Sequence, residues 1–291
     1  MTRVVTSIRP RRSVLYMPGS NARALEKARS LPADVLILDL EDAVAPDAKA
    51  LARAQVCDAV KAKAFGKREI VVRLNALSTP WGEADLLAAA AAKPDAILVP
   101  KVSTPQDLHA VERRLADTPV ALWAMVESPL AILNIAALAA AGGRLTCLVM
   151  GTNDLIKEIH AVHTVDRLNL AAALGLSVLA ARAHGLSIID GVHNDIQDAD
   201  GFASVCAQGK SFGFDGKTLI HPSQIEACNA AFAPSPEELD AARKLIAAFA
   251  QPENKGKGAI KLDGRMVEML HAEIAARTVA LADAIAALGA S

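Results

Sequence analysis

No CxxC pair occurs in this chain, and no histidine stands at zinc-finger spacing from its four cysteines, Cys57, Cys147, Cys206 and Cys228. A cysteine-based zinc module is thereby excluded, and the thiols read as free and mostly buried. An excess of either charge is also missing: 31 basic and 32 acidic side chains leave a net charge of −1. No general field draws such a chain to nucleic acid or to an anionic membrane. No apolar run approaches the roughly 20 residues that span a bilayer. There is no internal repeat, and the first strand-to-helix turn, MPGSNAR, is not a GxGxxG dinucleotide fingerprint. The remaining partners are small molecules and other subunits, in a reducing, cytoplasmic setting. The opening MTRVVTSIRPRRS has four arginines, no acid and no continuous apolar core. It reads as a basic arm leading into the fold, with a short cleaved organelle-targeting peptide as the competing reading.

What is present is apolar bulk: 291 residues, 52% of them hydrophobic, enough for a large core. Eight short runs recur between alanine-rich amphipathic stretches: SVLYM, DVLILDL, IVVRL, AILVP, ALWAMV, TCLVM, LSIID and KTLI. Most are continuously apolar, as expected of parallel strands covered by helices. Helix starts are signalled by Asn21, by Pro46 and Pro105, and by Ser128 with Pro129. Eight β-then-α units over about 230 residues predict a (β/α)8 TIM barrel, usually about 250 residues long, with a doubly wound open sheet as the rival. Residues 1–233 are assigned to the barrel with its basic arm, and 234–291 to a C-terminal helical extension packing on a neighbouring subunit. In that extension PSPEELDAARKLIAAFA reads as a helix, QPENKGKGAIKLDG as an exposed connector and RMVEMLHAEIAARTVALADAIAAL as a final helix.

Active sites of barrels lie past the C-terminal ends of the strands, so the polar residues there are candidates. They are Tyr16, the acids Asp39, Glu41 and Asp42, Arg73 with Asn75, then Lys101, Glu127, Asp154 and Asp190. Glu127 and Asp154 end neighbouring strands, and two carboxylates with waters suit Mg2+. The competing readings are an acid favoured at a helix N-terminus for Glu127 and a helix cap for Asp154. Arg73 leaves an apolar strand, so its fork needs an anion: a substrate carboxylate, a structural partner in Glu41 or Asp42, or both. Arg23 and Lys27, four apart on one helix face, could clamp phosphates or form a solvated face.

Taken in order, RRSVLYMPGSNARALEKA, LILDLEDAV, VVRLNALSTPWGEADL, ILVPKVSTPQDL, MVESPLAILN, GTNDL, GFDGKTLIHPSQI and FAPSPEE resemble the citrate lyase β-subunit and malyl-CoA or citramalyl-CoA lyase branch of the HpcH/HpaI aldolase family. The resemblance implies a Mg2+-dependent, trimeric or hexameric TIM barrel that makes or breaks a carbon–carbon bond between acetyl-CoA and a 2-oxo acid. It further implies Mg2+ on Glu127 and Asp154, the oxo-acid carboxylate on Arg73, and CoA-thioester contacts from Tyr16, Arg23 and Lys27. Ile189 and Asp190 would line the site, with Glu41 supporting Arg73 and the metal-bound water.

Two departures stand out. The family's Gly-x-Met-Ile-Asp-x-Pro segment, whose Asp serves a neighbouring subunit as acid/base, reads GRMVEML here, which puts Glu268 at the Asp position and Leu270 at the Pro. The metal loop reads GTND, with Asn153 where relatives often carry an acid. The expected activity is Mg2+-dependent lysis of citryl-, malyl- or citramalyl-CoA, with Glu268, Arg73 and Glu41 as the catalytic set. The alternatives are hydrolysis of malyl-CoA, or a ligand-binding β-subunit served by an acyl-carrier partner.

Overall fold

Strands buried on both faces need partners on both edges, and the eight apolar runs supply them to one another. In the computed structural model, which describes residues 8–115 and 118–289, they form β1 (Ser13–Pro18), β2 (Val35–Asp39), β3 (Glu69–Arg73), β4 (Ala96–Val99), β5 (Ala121–Val126), β6 (Leu145–Met150), β7 (Ser187–Asp190) and β8 (Gly216–Leu219). All neighbours are parallel, and β8 pairs with β1 through Ser13 and Lys217 to close the ring. The fold is the (β/α)8 barrel that the continuous hydrophobicity predicts, with helices following the strands. Most of the basic arm, residues 1–7, lies outside the described residues.

Alternation along each strand divides the core in two. Val14, Ile37, Val71, Leu98, Trp123, Met125, Val149 and Ile189 fill the barrel. Leu15, Leu36, Leu38, Val72, Ile97 and Leu122 face the helices. Each fully buried side chain of this size contributes about 1.5–3 kcal/mol. Arginines hold the strand starts together: Arg11 pairs with Glu69 (2.7 and 2.8 Å) and lies over the Trp123 ring, and Arg12 pairs with Asp34 (2.9 and 2.8 Å).

The cap signals act as their chemistry dictates. Asn21 accepts from the Ala24 N–H (3.0 Å) at the start of helix Ala22–Ala28, and Ser128 from the Ala131 N–H (3.1 Å) at that of Pro129–Leu133. The stretch PLAILNIAALAA, which carries one start signal, divides at Asn134 into two five-residue helices.

The chain forms two compact units, Arg11–Phe232 and the remainder, whose described part is 8–10 and 233–289. In the second unit Ser235 and Glu238 form a capping box on helix Pro236–Ala250. The connector is not simply exposed coil, and the last helix does not begin at Arg265. β9 (Ala259–Leu262) and β10 (Arg265–Glu268) make an antiparallel hairpin, and the helix runs from Met269 to Gly289. Asp263 and Gly264, at φ 49° and 79°, supply the two positive-φ residues of a tight hairpin turn. Among the described residues no helix is long and apolar enough to cross a membrane.

Gly216 admits β8 to the ring, because a β-carbon there would overlap the carbonyl oxygens of Arg11 and Arg12. Backbone cannot move aside as a flexible side chain can. Gly216→Ala is expected to destabilise the protein by about 3 kcal/mol, read from the shift of its urea unfolding midpoint.

Candidate active site

Strand parity decides which rim residues point inward. Asp39 and Arg73 are paired in register at the ends of β2 and β3, two residues beyond Ile37 and Val71 of the barrel interior. Arg73 Nε and Nη2 donate to the two oxygens of Asp39 (2.7 and 2.6 Å). Asp39 is therefore the principal partner, rather than Glu41 or Asp42; Nη1 lies 3.0 Å from Glu41 and 3.3 Å from the exposed Asp42. Burial would lower the Arg73 pKa, but Asp39 overrides it and raises the value. The guanidinium sits 4.8 Å over the Tyr16 ring, whose hydroxyl is raised in pKa by burial.

The LEDAV loop is pinned from both sides. Asp39 accepts the N–H groups of Glu41 (2.8 Å) and Ala43 (3.1 Å). The Lys49 ammonium donates to the carbonyls of Leu40 and Glu41 and to Asn75 Oδ1 (2.8, 2.7 and 2.7 Å). Glu41 is 8% exposed. Its Oε2 is close to Arg73 but poorly aligned with an N–H, so it is buried without a hydrogen bond. Burial pushes its carboxyl up to about 8, against the pull of Arg73 and with the help of Asp42 and Glu127. A carboxyl raised in this way can exchange a proton near neutrality.

Glu127 and Asp154 meet on the adjoining strand ends, joined through Lys101. Glu127 Oε1 accepts the Lys101 N–H (2.6 Å), Oε2 lies 3.5 Å from the ammonium, and the same ammonium donates to Asp154 Oδ2. Burial raises Glu127 to about 7, aided by Asp154 and opposed by Lys101. Burial also acts to raise Asp154, but hydrogen bonds from Lys101 and Glu127 override it and hold its pKa below the usual range. Asp154 is not the cap of its helix, since Gly151 occupies the N-cap and Asp154 stands in the first turn; Ser128 caps the helix that follows Glu127, which leaves Glu127 beside that N-terminus. A β-carbon at Gly151 would overlap the Glu127 side chain, so glycine is what lets the β6 end approach it.

This donor set fits Mg2+. Among the described residues no three His, Cys, Asp or Glu side chains cluster as metal ligands, but Mg2+ takes one or two carboxylates and keeps several waters. The Lys101 ammonium, a cation already between the two acids, shows that positive charge is favoured there.

The other candidates are dispersed. Arg23 and Lys27 are exposed on their helix, and Ile189 is fully buried in the barrel interior. For Asp190 the expectation of a substrate contact does not fit. It follows the inward Ile189, so it points to the helix layer, where it is fully buried and bound by Arg167 (2.7 and 2.9 Å) and Lys217 (2.9 Å). Glu268 ends β10 in the second unit, exposed, with its N–H donating to His271 Nδ1 (2.9 Å). Residue type and spacing alone assign no role to Lys101 or Asp39. Inward parity at the end of VLILD was the available signal for Asp39; for Lys101 it was only its place after AILVP. Asn194 carried no signal, yet it exchanges two amide hydrogen bonds with Asn153 (3.0 and 2.9 Å), joining the helix after β6 to the loop after β7.

The HpcH/HpaI aldolase/citrate lyase family model matches residues 12–222. The chain belongs to this family. Family members similar to it include a (3S)-malyl-CoA thioesterase of Cereibacter sphaeroides, 53% identical over 97% of this chain and 98% of that one. The citrate lyase subunit beta of Escherichia coli is 34% identical over 89% of both chains. The structure of protein CitE from Mycobacterium tuberculosis in complex with magnesium, acetoacetate and coenzyme A is 31% identical, with a TM-score of 0.75 over 92% of this chain and 97% of that one.

The Asp190 pair gives this family member an acid-sensitive strut. Burial would raise the Asp190 pKa, but Lys217 and Arg167 depress it below the unfolded value. The stabilisation is thus present above about pH 4 and is lost as pH falls through the depressed folded value. Asp190→Asn, which strands the cations, is expected to cost about 3–5 kcal/mol at neutral pH. It should also flatten the acid limb in urea melts taken at stepped pH.

Proposed function

We propose that this chain hydrolyses the thioester of malyl-CoA, or of a close 3-hydroxyacyl-CoA with a distal carboxylate, releasing the free acid and CoA. The observation that carries the reading is the 53% identity to a (3S)-malyl-CoA thioesterase along essentially the whole of both chains. It is supported by a site that sets a raised carboxyl beside two facing acids. Glu127 and Asp154 would hold Mg2+, which when bound supplies a Lewis acid for an oxygen of the acyl group.

The side chains divide the remaining work. Asp39 holds two donors of Arg73, so the Nη1 edge, shared with Glu41 and the exposed Asp42, is the one offered to the distal carboxylate. The Tyr16 ring lies against that guanidinium and helps to hold it in place. Arg23 and Lys27, exposed on one helix face, would meet CoA phosphates. In its ionised form Glu41 takes a proton from the attacking water as the water oxygen bonds to the thioester carbon. The carbon–sulfur bond then breaks, and the CoA thiolate leaves to be protonated in solvent.

Carbon–carbon cleavage is the second reading, favoured by the 34% identity to the citrate lyase β-subunit. There Glu268, with one methylene more than the aspartate whose place it takes, would exchange the proton of the acetyl-CoA enolate.

With malyl-CoA and Mg2+, the expected products are malate and CoA. Glyoxylate with acetyl-CoA would replace this reading by the lyase, and no turnover by folded protein would sink both. Glu127→Ala and Asp154→Ala should each lose Mg2+ dependence, and full activity in chelator would refute their assignment. A general base acts when ionised, so the wild-type rate should rise with pH through the Glu41 titration. Glu41→Gln should lose about 10²–10⁴-fold together with that limb; an intact limb would leave Glu41 a structural acid.

A further inference from the structure

Lys101 reaches the two facing carboxylates in two ways at once. Its backbone is left-handed, at φ 56°, a conformation costing a non-glycine residue about 1–2 kcal/mol. In that conformation the N–H donates to Glu127 Oε1 at 2.6 Å. The ammonium of the same residue meets Glu127 Oε2 at 3.5 Å and Asp154 Oδ2. The Glu127 side chain is 2% exposed and that of Asp154 31%, so when both are ionised the pair repels itself with little help from water. One ammonium between them offsets that repulsion.

We propose that Lys101 is a built-in counter-ion that holds the Glu127–Asp154 pair together and is displaced when a divalent cation binds, so that competition from its ammonium sets the affinity of the site. The inference rests on the metal reading of these two acids given above. The ammonium and a dication on the same two carboxylates repel one another, and the dication, with twice the charge, gains more from them. The displaced side chain has a way out, because it is 43% exposed. The backbone N–H to Glu127 does not depend on the side chain, so it remains when the ammonium is removed. The device keeps both acids gathered at the mouth in the absence of metal and stops the pair from holding a dication too tightly.

The test is a divalent-cation titration of the whole protein by calorimetry, with Mg2+ and then Mn2+. A charged hydrogen bond is worth about 1.5–3 kcal/mol, so Lys101→Met should bind either ion about tenfold or more tightly than wild type. Lys101→Arg, which keeps a cation, should stay within about threefold. A second measurement uses the wild type alone: acetylation of Lys101 by an activated ester, followed by peptide mass spectrometry. Adding Mg2+ should speed labelling of Lys101, because the amine leaves its ion pair. Unchanged or weaker binding by Lys101→Met, or labelling that Mg2+ leaves unmoved or slows, overturns the proposal. If Lys101→Met does not fold, the labelling decides. Wild-type binding that vanishes in Glu127→Ala but is untouched in Lys101→Met would keep the metal reading and remove the counter-ion. No binding by any folded form would remove both.

Discussion

A parallel strand sends successive side chains to opposite faces, and in a closed ring one of those faces opens only at the two ends. The inward set of Asp39, Arg73 and Glu127 follows from that constraint. The inward residues stack upward through Ile37, Val71 and Met125 and end at the mouth in Asp39, Arg73 and Glu127. The apolar layers below exclude water from beneath, so the charges at the top sit where electrostatic interactions are strong and solvent help is weak. One residue further along β7, the same alternation turns Asp190 away from the mouth into a buried pair with Lys217.

The mouth is arranged as alternating charge. Asp39 neutralises Arg73, Arg73 restrains Glu41, and Lys101 links Glu127 to Asp154. Each cation serves two or three acids, which leaves the acids under-compensated. Burial, with the neighbouring acids adding to it, pushes the carboxyls of Glu41 and Glu127 up to about 8 and about 7. Such a surplus of negative charge is what a divalent ion neutralises, and a raised carboxyl is what proton transfer near neutrality requires.

Backbone geometry supports this arrangement as much as side-chain charge. Gly151 allows the β6 end to approach Glu127, and Lys101 accepts a positive φ to aim its N–H at the same residue. Lys49, on the helix after LEDAV, gathers three oxygens and locks the loop that carries Glu41. Positions that look ordinary in the chain are therefore as necessary to the site as its carboxylates.

Much of this was legible beforehand. The eight apolar runs lie within a residue of the observed strands, because continuous burial leaves a composition signal that local pattern reads well. The rim acids and Arg73 were legible because they interrupt apolar runs at strand ends. Their partners were harder to read: the acid that takes the Arg73 fork is Asp39, 34 positions away. The hairpin before Met269 was missed although Asp263 and Gly264 signal it, because its short strands resemble an exposed connector. By itself, the sequence determined the barrel and the charged residues at its rim, since burial period and residue type are local properties. Only the tertiary structure decided that Asp190 is a strut, that Asp39 holds Arg73 and that Lys101 lies between Glu127 and Asp154, because pleat parity and ring closure bring together charges that the chain keeps far apart.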